Sequence, residues 1–587
     1  MFDLALNGGT FFDGTGSPAR AASLAIKDGV VAAVRPEPFT EATQVIDCAG
    51  KWLTPGFIDV HTHYDAEVEA NPALNESLIH GVSTIVMGSC SLGTVFSSPL
   101  DIADLFTRVE GIPRPQVLSL FERLKTWSTP AEYRRHLESL PLGPNVACFL
   151  GHSDLRCAVM GLERSVTTGE APTCFELEKM QQHLTDALDA GFLGLSVNTN
   201  RWDKLGGQRF RSRPLPSTYA SWEELRALTP LVRERGAVLQ GIPNISAKYD
   251  VFLFFLESLG LFRKALKTSI VSMADVRSNR LIYRVLGALT RVVNRVLGGD
   301  VRFQALPVPF ELFVDGLDAP VFEELGAGTA ALHLEAEAER RALLKDPEYR
   351  GWFRRQWTSA LAPRVFHRDF RQSQIVGCPD PSLVGRSIAE VAKQRGTNEV
   401  EAFLDLVAEH GEKLRWRTTI ANDRPEHLRN ILSHPDITIG FSDAGAHLRN
   451  MAFYNFPLFM LRMARDAERD GVPFMSVERA VHRLTGEIGR WLGIDAGVLE
   501  LGSRADVVVI DPSQLDESIA GYHEEPMTGF GGFTRLVRRN PGAVPHVLIS
   551  GRIAAERGQL RDPGHGRFLG AGEANRGTSN RHLARAA

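Results

Sequence analysis

The chain has 587 residues, of which 43% are hydrophobic, so it can bury a large core and exceeds the usual size of a single domain. Its formal net charge is −4 with both signs interspersed, which argues against a nucleic-acid partner and against binding to an anionic membrane surface. Six cysteines at irregular spacing make no disulfide framework, and residues 1–4 lack the features of a signal peptide, so we expect a cytoplasmic protein.

The two ends of the chain carry short β-rich runs separated by glycine turns. Residues 22–34 predict a hairpin with an Asp-Gly turn, and strand patterns return at residues 505–512 and 544–552. Between the ends, strand-like runs alternate with amphipathic stretches. This alternation is typical of an α/β fold with a parallel barrel.

Residues 55–63, PGFIDVHTH, predict a buried strand that ends in two histidines. Alternate residues of a strand point to the same side, so His61 and His63 can face one ion while Thr62 faces away. The preceding apolar run fits a strand of a parallel sheet, whose carboxyl ends carry the active site. For the tripeptide alone, a chance match is an equally good interpretation.

Two more candidates follow strand-like runs. Asp443 follows residues 437–442, which would place it at the same edge as the histidines, although an Asx turn is an equal alternative for the aspartate alone. Cys90 follows residues 83–89 in the same way. The other cysteines are interpreted as small core residues: Cys48, Cys148, Cys157, Cys174 and Cys378.

These segments resemble the D-aminoacylase (N-acyl-D-amino-acid deacylase) family of the amidohydrolase superfamily. Similar segments keep the order of the family along most of the chain and lie at residues 55–63, 81–90, 151–156, 440–443 and 502–506. The resemblance implies an α/β fold with a TIM-like (β/α)8 barrel over residues 55–490. It also implies a small β-sandwich domain built from both chain ends, residues 1–54 and 491–562.

The resemblance also implies a divalent metal cofactor, with zinc as the expected ion. Such an ion lowers the pKa of a bound water and polarises an amide carbonyl. In the family, the cysteine at the position of Cys90 ligates metal, and the aspartate at the position of Asp443 contacts metal and takes a proton from water. We therefore expect His61, His63, Cys90 and Asp443 as ligands, with Asp443 also as the catalytic base.

The chain departs from the family at two strands. Family members carry a histidine on the fifth strand and another on the sixth, whereas the corresponding residues 237–240 and 269–275 contain neither. Gln240 and Asp275 offer oxygen atoms, but a neutral amide is a weak zinc ligand. We therefore expect one metal rather than two, and Gln240 is assigned to substrate binding.

Three further residues are candidates near the site. His152 follows a strand and could polarise a carbonyl in catalysis, while Arg156 could pair with a substrate carboxylate. A structural network behind the site is the alternative for both. Arg449 is the stronger carboxylate ligand, because residues 446–449 resemble the family's His-Pro-Arg segment, in which an arginine grips the acyl-amino acid; Leu448 replaces the proline.

The function that these features predict is metal-dependent hydrolysis of a linear carbon-nitrogen amide bond, with a small N-acyl amino acid as substrate. One alternative is a cyclic amide hydrolase resembling dihydropyrimidinases or hydantoinases. It is disfavoured because residues 194–197 lack the lysine that such relatives usually carbamylate. The other alternative is a non-catalytic binding protein on a degenerate barrel.

Three segments fit the barrel pattern poorly. Residues 335–371 predict helical decoration. Residues 251–261 form the most apolar stretch, but it is too short for a membrane span and contains Glu257, so it predicts a hydrophobic wall or an amphipathic lid helix. Residues 563–587 have almost no apolar content and predict a disordered tail.

Overall fold

Strands and helices alternate along the chain in the computed structural model, which describes residues 1–108, 110–244, 250–359 and 364–572. The strands are β1 Phe2–Phe11, β2 Arg20–Lys27, β3 Val30–Arg35, β4 Ala42–Asp47, β5 Trp52–Pro55, β6 Phe57–Asp59, β7 Val82–Met87, β8 Asn145–Cys148, β9 Leu150–Gly151, β10 Gly194–Asn198, β11 Val238–Ile242, β12 Lys267–Ile270, β13 Asp300–Ala305, β14 Phe310–Asp315, β15 Gln374–Gly377, β16 Arg415–Ala421, β17 Ile437–Ile439, β18 Val507–Ile510, β19 Tyr522–Pro526, β20 Thr534–Arg538, β21 His546–Ile549, β22 Arg552–Glu556 and β23 Gln559–Leu560. The α-helices are α1 Glu67–Ala70, α2 Asn75–Leu78, α3 Pro99–Thr107, α4 Arg114–Leu124, α5 Pro130–Ser139, α6 His152–Met160, α7 Leu162–Ser165, α8 Cys174–Asp189, α9 Trp222–Glu234, α10 Asp250–Ser258, α11 Ile282–Arg295, α12 Gly326–His333, α13 Glu337–Lys345, α14 Pro347–Thr358, α15 Ile388–Arg395, α16 Glu399–His410, α17 Pro425–Leu432, α18 Phe456–Arg469, α19 Val477–Leu484 and α20 Gly486–Leu492.

Both ends of the chain contribute to one mixed sheet. Its nine strands run in the order β23-β22-β21-β18-β5-β1-β2-β3, with β4 paired to β1. Strand β18 pairs antiparallel with β5, with Val508 opposite Thr54, and joins the C-terminal part of the sheet to the N-terminal part. Leu6 and Leu24 of the N-terminal part share one buried core with Val507 of the C-terminal part. The predicted pairing of the chain ends is therefore confirmed.

The middle of the chain forms two parallel sheets. One has six strands in the order β17-β13-β12-β11-β10-β9, and the other has three in the order β6-β7-β8. Phe149 alone separates β8 from β9. Every residue of β6, β7, β8 and β10 is buried, and strands covered on both faces read in the sequence as continuous apolar runs. Strand β13 was not recognised in the sequence.

Hydrogen bonds also join the ends of β6 and β17. Thr62 and Ala444 form a parallel bridge, and the amide of His63 donates to the carbonyl of Ala444 at 2.7 Å. The amide of Asp443 donates to the carbonyl of His61 at 3.2 Å. These contacts bring the segment after the first parallel strand against the segment after the last one, so both carry side chains to the same edge.

The three segments that fit the barrel pattern poorly differ in how far the structure agrees with their predictions. The helical decoration predicted for residues 335–371 is confirmed over α13 and α14, whereas residues 364–369 form no helix and residues 360–363 lie outside the described part of the chain. Helix α10 covers most of the apolar stretch. The predicted disordered tail is wrong at its start, because residues 563–572 pack against the parallel strands. Phe568 and Leu569 are buried there, and the amide of Leu569 donates to the carbonyl of Val146 at 2.8 Å. Residues 573–587 lie outside the described part of the chain. None of the described helices combines the length and the apolar character that crossing a bilayer requires.

Candidate metal centre and active site

Three side chains converge where β6 and β7 end. The Nε2 atoms of His61 and His63 are 3.3 Å apart, and the Cys90 sulfur lies 3.0 Å from the first and 3.4 Å from the second. The three ligand atoms all lie within 4.8 Å of one another, and all three residues are buried. Two imidazole nitrogens and one sulfur directed at a common point make a possible metal site.

Asp443 extends this cluster from the end of β17. Its Oδ1 atom lies 3.2 Å from His63 Nε2 and 3.6 Å from His61 Nε2, and His447 Nε2 lies 3.8 Å from its Oδ2. Cys90 and Asp443 both have left-handed backbone conformations, with φ values of 56° and 58°. Such φ values are uncommon for residues other than glycine and are enriched at functional sites.

Two residues that the sequence analysis missed lie against the histidines. Gln304, on β13, donates from Nε2 to Ser269 at 2.9 Å, so its Oε1 accepts from His61 Nδ1 at 2.8 Å. Glu110 places Oε1 3.3 Å from His63 Nδ1, and burial raises the pKa of Glu110 to about 8. Histidine ligands usually donate their second nitrogen as His61 does to Gln304, which leaves Nε2 of His61 unprotonated toward the ion.

The sequence held a signal for only one of these two residues. Gln304 lies near the end of a strand, DVRFQA, in which polar and apolar residues alternate, a pattern that strand periodicity can reveal. Glu110 lies in the connection between α3 and α4, and no pattern in the sequence around it indicates that folding brings it to the site.

The donor set fits a soft divalent ion. Burial lowers the pKa of His61 to about 4, so its imidazole is neutral at pH 7, which is the form that binds metal. Burial raises the pKa of the Cys90 thiol to about 12, so a thiolate at this position needs a nearby cation. Nitrogen and sulfur donors together suit zinc better than magnesium or calcium.

The fifth and sixth parallel strands lack histidine, as their sequences indicated. Strand pairing aligns Ser196, Gln240 and Ser269 across β10, β11 and β12. Gln240 Oε1 accepts from the amide of Cys90 at 3.1 Å, and its Nε2 is buried without a partner among the described residues. Asp275 instead binds the guanidinium of Arg424 at 2.6 Å.

His152 and Arg156 lie together in a buried network. His152 Nδ1 is 3.0 Å from the Ser217 hydroxyl, and its Nε2 is 3.1 Å from Glu224 Oε1. Arg156 donates to the other oxygen of Glu224, and both side chains of that ion pair are buried. These contacts join α6 to α9. They correspond to the structural alternative considered for both residues rather than to a contact with the cluster of His61.

Glu224→Gln will destabilise the fold because it leaves the buried guanidinium of Arg156 without a compensating charge. We expect a loss of about 3–5 kcal/mol in the free energy of unfolding, measured by urea denaturation. The control is Glu170→Gln, which removes a carboxylate that is 45% exposed and paired with Arg164, and which should cost under about 1 kcal/mol. Equal midpoints for Glu224→Gln and the unmodified protein would show that the network carries no stability.

Arg449 lies in an ion-pair cluster. Its Nε atom is 2.8 Å from Asp315, and its Nη1 atom is 2.7 Å from Glu524 and 2.8 Å from the Thr534 hydroxyl. Arg415 pairs with the same two carboxylates. Two of the three guanidinium nitrogens of Arg449 thus bind protein groups, which differs from the predicted grip on a substrate carboxylate. The proximity of these carboxylates depends on tertiary structure and leaves no local sequence signal.

Comparison with known proteins identifies relatives over most of the chain, although no protein-family model matches it. An uncharacterised protein of Mycobacterium tuberculosis is 50% identical over 587 residues, which covers 97% of this chain and 96% of the relative. The N-acyl-D-aspartate deacylase of Alcaligenes xylosoxydans is 26% identical over 524 residues, covering 88% and 87% of the two chains.

A solved structure shares the fold. The N-acyl-D-glutamate deacylase of Bordetella bronchiseptica, crystallised with zinc and a phosphonate inhibitor, has a TM-score of 0.63 at 22% identity. The match covers 97% of this chain and 100% of that chain.

These relatives and the strand-end cluster define the protein as an amidohydrolase, a hydrolase of carbon-nitrogen bonds other than peptide bonds. The similarity is not confined to the strands that carry the cluster, since the match to the solved structure covers 97% of this chain. Within this class, the chain is similar to the D-aminoacylase family over most of its length, which confirms the resemblance noted in the sequence.

Proposed function

We propose that the protein is a zinc-dependent hydrolase of linear amide bonds that acts on N-acyl-D-amino acids. The observation that carries this proposal is the convergence of His61, His63 and Cys90 beside the carboxylate of Asp443. Deacylases for N-acyl-D-aspartate and N-acyl-D-glutamate are among the relatives, which supports this substrate class.

His61, His63, Cys90 and Asp443 would hold the ion. When bound, it would supply a Lewis acid for the amide carbonyl and lower the pKa of water. Asp443 would accept the proton from the attacking water and return it to the leaving amine. Although burial opposes ionisation, the contact with His63 holds the pKa of Asp443 below its usual range, so the carboxylate is ionised.

Gln240 and Glu110 would assist beside the cluster, the first next to Cys90 and the second next to His63. The unpartnered Nε2 of Gln240 is a buried donor that a substrate oxygen could satisfy, and its Oε1 is already bound to the amide of Cys90. Glu110 would keep the ring of His63 in its orientation through Nδ1. His152 would act through Glu224 and Ser217 as a positioning residue behind the site.

We further infer that the two parallel sheets form one (β/α)8 barrel. If β8 and β9 are counted as one strand, the six and three strands of the two sheets make eight. The bridge between Thr62 and Ala444 lies where such a barrel would close. An ion site at the carboxyl ends of its strands would follow the general rule for barrel enzymes. The mixed sheet of the chain ends would be the accompanying β-sandwich.

The proposed activity is tested with zinc-loaded protein and paired D and L forms of N-acetylated acidic and apolar amino acids. We expect release of free amine from the D forms, detected with an amine-reactive dye, and little release from the L forms. Hydantoin and dihydrouracil serve as cyclic amide controls. Faster opening of either ring would favour the cyclic amide alternative, whereas binding of zinc and N-acyl amino acid without turnover would favour a degenerate barrel.

A further inference from the structure

One side of the molecule exposes an unusual number of apolar side chains. Of the sixteen large hydrophobic residues that are exposed in the described chain, eight belong to α10, to the segment that follows it, or to α11 and the residues directly flanking it. Four lie on α10 and residues 259–264: Phe252, Leu256, Leu261 and Phe262. Phe262 is 101% exposed, so the described protein leaves it uncovered, and Leu261 is 52% exposed.

Helix α11 continues this surface. Leu281, just before the helix, and Val285, Val292 and Val296 recur at helical spacing along one stripe, with exposures between 47% and 69%. The opposite face of the helix buries Tyr283, Gly287, Thr290 and Val293. An amphipathic helix of a globular protein normally has a polar outer face, so an apolar outer stripe needs a partner.

The two helical segments pack on the same strand and their C-terminal ends meet, so we treat their exposed residues as one surface. Both helices pack against β13. The amide of Asp300 donates to the hydroxyl of Ser258 at 3.0 Å, which ties the end of α10 to the chain after α11. Gly260 and Gly298 are also close enough that a side chain on Gly260 would collide with the Gly298 carbonyl. We call the exposed residues of 250–264 and 281–297 the basic-apolar surface.

All the exposed charges of the basic-apolar surface are positive. Its exposed cations are Arg263, Lys264, Arg284, Arg291 and Arg295. The two carboxylates of these segments, Asp250 and Glu257, are buried. Within the described chain, Arg291 and Arg295 form no ion pair with a carboxylate. The partner of this surface should therefore be both apolar and anionic.

This charge argues against a second copy of the chain as the partner. A two-fold dimer brings the same patch of both subunits together, so the arginines of one copy would meet those of the other with no carboxylate between them. An anionic bilayer offers the matching chemistry, because amphipathic helices bury apolar residues at the boundary of headgroups and acyl chains while cations bind lipid phosphates.

We propose that the basic-apolar surface docks the protein on an anionic lipid membrane. Phe262, Val285, Val292 and their neighbours enter the boundary between headgroups and acyl chains, and Arg291 and Arg295 bind phosphates. Helix α10 is 9 residues long and α11 is 14, and each keeps one face buried in the protein. The protein therefore lies on the membrane and does not cross it.

Flotation of the full-length protein with lipid vesicles tests this proposal. Binding is expected to vesicles with equal parts of phosphatidylcholine and phosphatidylglycerol, weaker binding to phosphatidylcholine alone, and loss of binding as salt is added. The combined variant Phe262→Ser, Val285→Ser, Val292→Ser should bind about tenfold more weakly or worse, since it removes apolar area from the boundary. Arg291→Glu with Arg295→Glu should remove the preference for the anionic lipid.

The matched control is Phe175→Ser with Val472→Ser, which removes two apolar side chains that are 64% and 56% exposed elsewhere on the molecule. This control should bind vesicles as the unmodified protein does. Phe262→Ser alone keeps the test valid if the combined variant does not fold, because a fully exposed side chain contributes no core packing. The proposal is overturned if the unmodified protein fails to float with anionic vesicles, or if all variants bind equally. It is also overturned if light scattering reveals a dimer that Phe262→Ser dissociates.

Discussion

Asp443→Asn will lower turnover of an N-acyl amino acid by about 10²-fold or more without unfolding the protein. An amide has nearly the shape of the carboxylate but cannot accept the proton that water must lose, and removal of a general base typically has an effect of this size. The carboxylate lies 3.2 Å from His63 Nε2, so it is beside the proposed ion site, where the water would lose its proton. The measurement is kcat with zinc-loaded protein, accompanied by circular dichroism to check the fold.

The control for this experiment is Asp436→Asn. Asp436 directly precedes β17, whereas Asp443 follows it, so the two aspartates lie near opposite ends of one strand. We expect kcat of Asp436→Asn to match that of the unmodified protein. An unchanged kcat in Asp443→Asn would rule out its role as the base, and an equal loss in both variants would indicate a general effect on the strand.

His61→Ala will abolish tight metal binding. We expect the zinc content to fall from roughly one equivalent per chain to none, because a site with few strong ligands does not hold the ion tightly once one imidazole is removed. Elemental analysis of dialysed protein measures this directly, and activity should fall with metal content. Gln304→Ala should have a graded effect, since it removes the acceptor for His61 Nδ1 but keeps all proposed ligands. We expect its zinc affinity to fall by about 10–100-fold.

His523→Ala is the matched control, because His523 is an exposed histidine on β19 and does not belong to the cluster. It should retain the metal content of the unmodified protein. Two equivalents of tightly bound zinc that persist in His61→Ala would mean that other residues hold the metal. Unchanged affinity in Gln304→Ala would mean that the orientation of His61 does not depend on the glutamine.

The sequence by itself determined which strands are followed by residues that can bind a metal ion or transfer a proton. A strand buried on both faces reads as an apolar run, so PGFIDVHTH was sufficient to predict β6, although the strand ends at Asp59 and not at the histidines. The Nε2 atoms of His61 and His63 nevertheless lie 3.3 Å apart, as the prediction of a shared side required. The run before Asp443 predicted β17 for the same reason. The lack of histidine at Gln240 and on the sixth strand was also readable, because strand order follows chain order in this fold.

Tertiary structure alone decided which partner each side chain meets. Gln304 reaches His61 across 243 residues of chain, and Arg449 meets Asp315 across 134, so no local pattern could reveal either contact. The basic-apolar surface shows the same limit. A net charge of −4 suggested no cationic face, since composition counts Asp250 and Glu257 equally with the arginines. Folding turns those two carboxylates inward and leaves the arginines outside, because only packing determines which side of a helix faces solvent.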